Sequence, residues 1–253
     1  MSTDAPAAEM PRVAEPPPRK NSLRNYFAYA VLIACLVAVH YIIALNPLAA
    51  RSVEQTAVFT WIALGIIGVL GLLGVIFLNL TPIRGFWDAD LSFKAKITIP
   101  FIVGLVIGVV VVVSDIFTGW SAIMAVQMHL PSIHIAFPLS VPIYFGGAIL
   151  VTIVYFLVLL PFLDWLIAIK LLKSKNEPLV FWLLAIPLAL IEPATQGDFP
   201  AIFHWGWMAV PVAVGDVVLN FSQVVFMRTT GFIAAIAVRV GFYAVWHVLY
   251  GLF

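Results

Sequence analysis

Seven apolar stretches, each long enough or nearly long enough to cross a lipid bilayer, constrain this chain more than any other feature. A spanning helix needs about 20 predominantly apolar residues. The predicted spans are Tyr26–Leu45, Ala57–Leu78, Ile97–Phe117, Pro142–Leu163, Leu179–Glu192, Gly206–Met227 and Phe232–Leu252. The fifth is short, contains Pro187 and is followed by Pro193, so a broken or re-entrant element is the alternative to a full span there.

The composition supports a membrane protein, because 63% of the residues are hydrophobic and only 10% are charged. A soluble domain has about 25% charged residues. We therefore predict an all-α polytopic helix bundle at residues 25–253, with the lipid bilayer as its surrounding medium. Residues 1–24 are rich in Pro, Ala and charge and have no apolar period, which predicts a disordered cytoplasmic tail. A net charge of +1 without a basic patch gives no support for a nucleic-acid partner.

Lysine and arginine are distributed unevenly between the predicted connections. They precede the first span and lie in the connections between the second and third, the fourth and fifth, and the sixth and seventh spans. The other connections contain Arg51 as their only strong base. Because basic residues are enriched on the cytoplasmic side of membrane proteins, this pattern predicts seven spans with the N-terminus inside and the C-terminus outside. We expect a multi-pass protein of a bacterial-type plasma membrane.

Arg239 lies in the middle of the last predicted span, where an arginine costs about 2.5–3.5 kcal/mol on insertion scales. On the preceding antiparallel span, Asn220 falls at about the same height and Asp216 lies one turn further out. We therefore predict an ion pair between Asp216 and Arg239. The candidate polar site also includes the residues spaced by four from Arg239 on the last span. The residue at the outer end of the fifth span completes it. The site comprises Glu192, Asp216, Asn220, Arg239, Tyr243 and His247.

Two interpretations of this polar site remain open at the level of sequence. In the first, the buried side chains satisfy one another's hydrogen bonds and stabilise the bundle. In the second, they form a substrate or proton site, since charged residues inside a membrane commonly mark such places.

The sequence predicts no metal centre and no cofactor. His129, His134 and His204 fall in outer connections, with Asp115 at the end of the third span, and histidine and carboxylate can bind metal ions. Their spacing matches no established ligand pattern, so solvated or interfacial histidines are the favoured interpretation. The chain contains no phosphate-binding loop, dinucleotide fingerprint or Gly-x-Ser-x-Gly turn.

The last hairpin, GDVVLNFSQVVFMRTTGFIAAIAVRVGFY (Gly215–Tyr243), resembles the CPBP family of intramembrane proteases, which includes CAAX-processing and bacteriocin-immunity proteins. The upstream stretch FGGAILVTIVYFLVLLP (Phe145–Pro161) is similar to the family's first motif region, a Glu-Glu-x-x-x-Arg helix. The resemblance implies a glutamate that activates water with the help of histidines.

This chain departs from the family pattern at its motif positions. Val151 and Thr152 stand where the family has its glutamates, and Phe156 stands where it has arginine. At the other motifs, Arg239 stands for a histidine, Tyr243 for an asparagine, and Glu192 falls near the position of the middle histidine. Thr152 cannot act as the general base that this chemistry requires.

We therefore expect a non-catalytic CPBP-like membrane protein whose polar intramembrane cavity binds a peptide or lipid segment, including a segment of a membrane-protein partner. One alternative is an active intramembrane hydrolase that uses Glu192 and His247 as its acid–base pair. Another alternative is a small transporter, although no inverted repeat of the kind many transporters contain is visible in the sequence.

Overall fold

The protein is a bundle of membrane-spanning helices. The computed structural model describes residues 22–46, 56–87, 89–127, 129, 132–196, 201–202, 204 and 206–253. Within these residues, seven helices are long and apolar enough to cross a membrane, and no strand is present. In chain order, with the short α4 included, the helices are α1 (Ser22–Ala44), α2 (Trp61–Leu80), α3 (Lys94–Thr118), α4 (Trp120–Gln127), α5 (Ser140–Leu171), α6 (Glu177–Gln196), α7 (Gly206–Thr229) and α8 (Phe232–Leu252).

All seven predicted spans are confirmed, with changes at their ends. The fifth, α6, is a continuous helix that contains both Pro187 and Pro193, so the full span is found instead of the alternative, a broken or re-entrant element. A membrane helix tolerates proline where neighbouring groups satisfy the freed backbone carbonyl. Helix α1 begins at Ser22, which places Ser22–Arg24 in the helix instead of the tail, while residues 1–21 of the predicted tail lie outside the described residues.

Large apolar side chains on the outer faces of the helices are exposed, as expected where lipid replaces water. Ile62 on α2, Val106 on α3 and Leu183 on α6 are each more than half exposed. The interior is filled by aliphatic and aromatic side chains contributed by every spanning helix. Such an apolar surface is suited to contact with lipid hydrocarbon, as expected for a multi-pass membrane protein.

Helices α3 and α8 approach each other closely along their backbones. A Cβ atom at Gly104 would overlap the carbonyl oxygen of Val238, and one at Gly241 would overlap the carbonyl oxygen of Phe101. Small residues let helix backbones come this near in a bilayer, where van der Waals packing drives association. The contact brings α8, with Arg239 two residues before Gly241, into the centre of the bundle.

We call the end of the bundle that carries Arg24 and Lys96 the inner end, following the predicted orientation. There the connection between α2 and α3 binds the start of α8: Phe232 N–H donates to the Gly85 carbonyl at 3.1 Å, and Ile233 N–H donates to the Phe86 carbonyl at 3.3 Å. These bonds satisfy two of the backbone donors that a helix N-terminus leaves free.

A second inner contact joins α6 to α7. Both guanidinium Nη atoms of Arg228 donate to the Glu177 carboxylate, each at 2.7 Å, and the guanidinium also lies over the Phe181 ring. A bidentate pair of this kind has a defined geometry. It sets the inner ends of the two helices side by side, close to the residues that precede α8.

The packing of α3 against α8 generates a prediction. Replacing Gly104 or Gly241 with alanine should lower the free energy of unfolding by about 1–3 kcal/mol, because the added methyl overpacks against backbone that cannot move aside. Unfolding in mixed detergent micelles measures this. Gly68→Ala is the matched control, since a Cβ atom there meets nothing within 4 Å. Equal effects at Gly68 and Gly104 would contradict the assigned packing.

Candidate functional site

Arg239 is the largest fully buried side chain of the described residues, with 1% of its surface exposed. Its Nη1 donates to Glu192 Oε1 at 2.6 Å and to the Tyr243 hydroxyl at 3.1 Å. Its Nη2 donates to Glu192 Oε2 and to Asn220 Oδ1. Its Nε donates to Gln223 Oε1 at 3.0 Å. We call Glu192, Asn220, Gln223, Arg239 and Tyr243 the Arg239 network.

Every N–H group of the Arg239 guanidinium has an acceptor within the chain. A guanidinium carries five such donors in a planar fork, and the network supplies an oxygen for each. The Glu192 carboxylate receives two of them and neutralises the charge. The arginine is therefore both paired and fully hydrogen-bonded, which is the condition under which a charge persists in a low-dielectric interior.

Gln223 extends the Arg239 network to a fourth helix. Its Oε1 faces the guanidinium, and its Nε2 donates to Thr152 Oγ1 on α5 and to the Ala235 carbonyl on α8, each at 3.0 Å. The Thr152 hydroxyl in turn donates to the Ala148 carbonyl at 2.6 Å. The network thus connects side chains of α5, α6, α7 and α8.

The structure corrects the predicted ion pair. The carboxylate bound to Arg239 belongs to Glu192, and not to Asp216. Asp216 is half-buried. The prediction placed Asp216 by its height along α7, but the face of α7 turned toward Arg239 carries Asn220 and Gln223. Height alone does not determine which face of a helix meets its neighbour.

The structure also divides the predicted site in two. His247 is not bonded to Arg239; its ring stacks on Tyr144 at 4.1 Å, and its Nδ1 lies 3.3 Å from His134 Nδ1. We call His134, Tyr144, His247 and Tyr250 the outer histidine cluster. Tyr243 links the two groups, because its hydroxyl accepts from Arg239 and its ring meets His247 edge-on at 4.8 Å.

Asp115 anchors the outer histidine cluster at the end of α3. Its Oδ1 accepts from Ser121 N–H and its Oδ2 accepts from the Tyr250 hydroxyl, each at 2.7 Å. His134 lies against the Tyr250 ring at 5.6 Å. The carboxylate therefore joins the outer end of α3, the start of α4 and the end of α8.

Of the residues considered as metal ligands, Asp115 and His134 both lie at the outer histidine cluster. His129 and His204 are exposed, and the Nδ1 of His134 faces another histidine. Across the described part of the chain, no three His, Cys, Asp or Glu side chains form a group that could hold a metal ion.

Four members of the Arg239 network and the outer histidine cluster were not predicted as residues of the polar site: Gln223, His134, Tyr144 and Tyr250. Gln223 follows Asn220 by three positions, so a second polar residue on one face of an apolar helix was an available signal. Tyr144 and His134 carried no such signal, because they meet His247 only through the tertiary fold.

The motif positions taken from the CPBP resemblance occupy distinct environments. Thr152 belongs to the hydrogen-bonded region beside Gln223, whereas Phe156 is completely buried in the apolar core and Val151 is partly buried. Helices α5 and α8 both change to wider, π-helical turns directly after Thr152 and Tyr243. Such turns frequently accompany functional sites.

The arrangement holds charge, and the one carboxylate of the Arg239 network is engaged by the guanidinium. Both Glu192 oxygens accept from Arg239, and Thr152 and Gln223 have no titratable group. A general base needs to reach the water that it activates. Partly exposed polar groups are found further out, at Tyr144, Tyr243 and His247.

The ion pair generates a prediction. Arg239→Met and Glu192→Leu should each lower the free energy of unfolding by about 3–5 kcal/mol, because each leaves a buried charge unpaired. The double variant should lose clearly less than the sum, with a coupling near 3 kcal/mol, the upper end for residues in one network. The measurement is a double-mutant cycle on unfolding in mixed micelles. The control cycle combines Arg239→Met with Asp216→Asn and should show a smaller coupling energy than the cycle with Glu192→Leu. A larger coupling energy in the control cycle would support the Asp216–Arg239 pair predicted from the sequence.

The outer histidine cluster generates a pH prediction. Burial lowers the pKa of His134 below its ordinary value, and the charge of Asp115 opposes this shift. The unfolded chain therefore binds more protons near and below pH 6.5, so the stability contributed by neutral His134 is present above about pH 6.5 and lost as the pH falls below it. Thermal unfolding between pH 8 and pH 5 should show this loss. His134→Gln should reduce it, and His204→Gln, at an exposed position, should not.

Comparison of the chain with protein-family models, curated proteins and solved structures found no match in any of the three.

Proposed function

We propose that this multi-pass protein is a non-catalytic relative of the CPBP intramembrane proteases that binds a peptide or lipid segment within the plasma membrane. The observation that carries the proposal is the convergence of Thr152, Glu192, Arg239 and Tyr243 in one hydrogen-bonded region. The resemblance places Thr152, Arg239 and Tyr243 at motif positions and Glu192 near one. These four residues lie on three different helices. Convergence of separate motif positions supports a shared helix arrangement.

The chemistry of these positions supports binding over hydrolysis. At the place where the family has a glutamate, Thr152 offers only a hydroxyl, and that hydroxyl already bonds Ala148 and Gln223. The nearby carboxylate, Glu192, is held by Arg239. The polar residues therefore maintain the shape of the bundle without supplying a base.

The surface available for a partner segment lies between α5 and α8, on the outer side of the Arg239 network. Tyr144, Tyr243 and His247 are partly exposed there, and a Cβ atom at Gly147 would meet only the Tyr243 ring, at 3.8 Å. Tyrosine and histidine can bond a backbone carbonyl or a lipid hydroxyl while their rings contact apolar chain. These properties suit a mostly apolar segment with a few polar groups.

Photocrosslinking tests the binding proposal. With p-benzoylphenylalanine in place of Tyr144, we expect a discrete adduct with a peptide or lipid in native membranes. The same substitution at Phe145, which is exposed on the neighbouring face, should give only bulk-lipid adducts. Gly147→Trp should abolish the Tyr144 adduct, because it fills the space between α5 and Tyr243. Identical adducts from the two positions would contradict the proposal.

Activity assays separate the alternatives. Purified protein should not cleave peptide or prenylated-peptide substrates. Cleavage that Glu192→Gln and His247→Gln abolish would establish the hydrolase instead. Substrate or proton flux in liposomes that depends on Asp216 or Arg239 would establish a transporter. Either result would overturn the non-catalytic assignment.

A further inference from the structure

A short segment before α5 bridges the outer ends of α5 and α8. We call this segment, residues 132–139, the outer strap. Its Ile135 is 4% exposed, and the N–H of Ile135 donates to the Tyr144 hydroxyl on α5 at 3.1 Å. On the other side, a Cβ atom at Gly251 of α8 would lie only 2.8 Å from the Cβ atom of His134. The outer strap therefore contacts both of the helices between which the partner segment is proposed to bind.

Two histidines form a polar contact between the outer strap and α8. His134 Nδ1 lies 3.3 Å from His247 Nδ1, and the two ring centroids are 5.5 Å apart. This centroid distance is close to the largest that two imidazole rings can have at that nitrogen separation, so the two Nδ1 atoms point at one another. Such a contact is a hydrogen bond when one Nδ1 carries a proton and the other offers its lone pair.

The contact accommodates one proton between the rings and excludes two. In an imidazolium both ring nitrogens are donors. When His134 and His247 are both protonated, two N–H groups and two positive charges therefore face each other. A metal ion does not fit on the line between the two Nδ1 atoms, because each bond from zinc to a histidine nitrogen needs about 2.0 Å.

Ionisable groups on three helices face the histidine pair. They are Asp115 of α3, Tyr144 of α5, and Arg239, Tyr243 and Tyr250 of α8. The tyrosines are neutral at physiological pH, and the charge of Arg239 is matched by Glu192. The Asp115 carboxylate is 1% exposed and favours a proton on His134. Asp115 is therefore the unmatched charge that acts on the pair from these helices.

We propose that the contact between His134 and His247 is an acid-opened clasp, which holds the outer strap over the proposed binding site and releases it when both histidines are protonated. The inference rests on the proposed function for the identity of the site. With the strap closed, the Tyr144 hydroxyl is occupied by Ile135 N–H, and the Tyr144 ring is stacked on His247 at 4.1 Å. Release of the strap frees these groups for a partner segment.

The clasp is closed on the alkaline side of the histidine titration. Burial lowers the pKa of His134 below its ordinary value of 6.5 in the closed strap, although the charge of Asp115 opposes this shift. The open strap therefore binds more protons than the closed one. Closure is favoured above about pH 6.5 and is lost as the pH falls through the lowered pKa of His134.

Cysteine labelling measures the opening of the strap. In a Cys35→Ser background, the rate of maleimide labelling at Ile135→Cys, a buried position, is divided by the rate at Ala136→Cys, an exposed neighbour. This ratio cancels the effect of pH on thiol reactivity. It should rise between pH 8 and pH 5 by up to about tenfold per pH unit for each proton taken up on opening. Ala185→Cys, in the core, should stay unlabelled, which separates strap opening from unfolding.

Three variants assign this response to the clasp. His134→Phe keeps a ring against Trp246 and Tyr250 but cannot titrate, so its labelling ratio should not depend on pH. His129→Phe removes an exposed histidine just before the strap and should behave like the wild type. Asp115→Asn removes the charge that favours protonated His134, so opening should need a lower pH, whereas weakened packing alone would move opening to a higher pH. A wild-type pH response in His134→Phe, or an unchanged or higher opening pH in Asp115→Asn, would overturn the proposal.

Crosslinking separates failure of the clasp from failure of the proposed function. The adduct from p-benzoylphenylalanine at position 144 should be more abundant at pH 5.5 than at pH 8, and His134→Phe should remove this difference. A labelling ratio that changes with pH, without an adduct at either pH, would support the clasp and refute the binding function. An adduct with a constant labelling ratio would refute the clasp alone. Equal adduct yields with a changing ratio would show that the strap does not cover the site.

Discussion

The ion pair between Arg239 and Glu192 is the interaction on which the centre of the bundle depends. A guanidinium in hydrocarbon is costly unless its charge is matched and each N–H group finds an acceptor. Here one carboxylate, two amide oxygens and one hydroxyl meet that requirement. Because these acceptors come from α6, α7 and α8, they can bind the arginine together only when the three helices hold one particular arrangement.

This requirement explains features elsewhere in the structure. Gly104 and Gly241 let α8 come close to α3, which places Arg239 in the interior. The Arg228–Glu177 pair aligns the inner ends of α6 and α7, on which Glu192 and Gln223 lie. A buried charge costs free energy when it loses its partners, so the packing contacts that hold Arg239 beside its acceptors and the network support one another.

Tyr243 connects the outer histidine cluster to the buried guanidinium of Arg239. Its hydroxyl accepts from Arg239 and its ring contacts His247, which in turn meets His134 in the connection before α5. A segment bound against Tyr243 and His247 would therefore contact both the central helices and the outer connection. Binding at the proposed site would in this way influence how the helices of the bundle are arranged, without any chemical step.

The sequence alone determined the number of spanning helices, their order and most members of the polar site, because a bilayer requires about 20 apolar residues per helix and makes each intramembrane charge conspicuous. It could not identify the partner of Arg239. Asp216 was predicted from its height along α7, whereas the partner is Glu192 on α6. Which helix face meets Arg239 depends on how α6 and α7 are rotated about their axes. Rotation is set by packing between residues far apart in the chain, as for Gly104 against Val238. The same tertiary contacts alone brought Thr152 to Gln223 and His134 to His247.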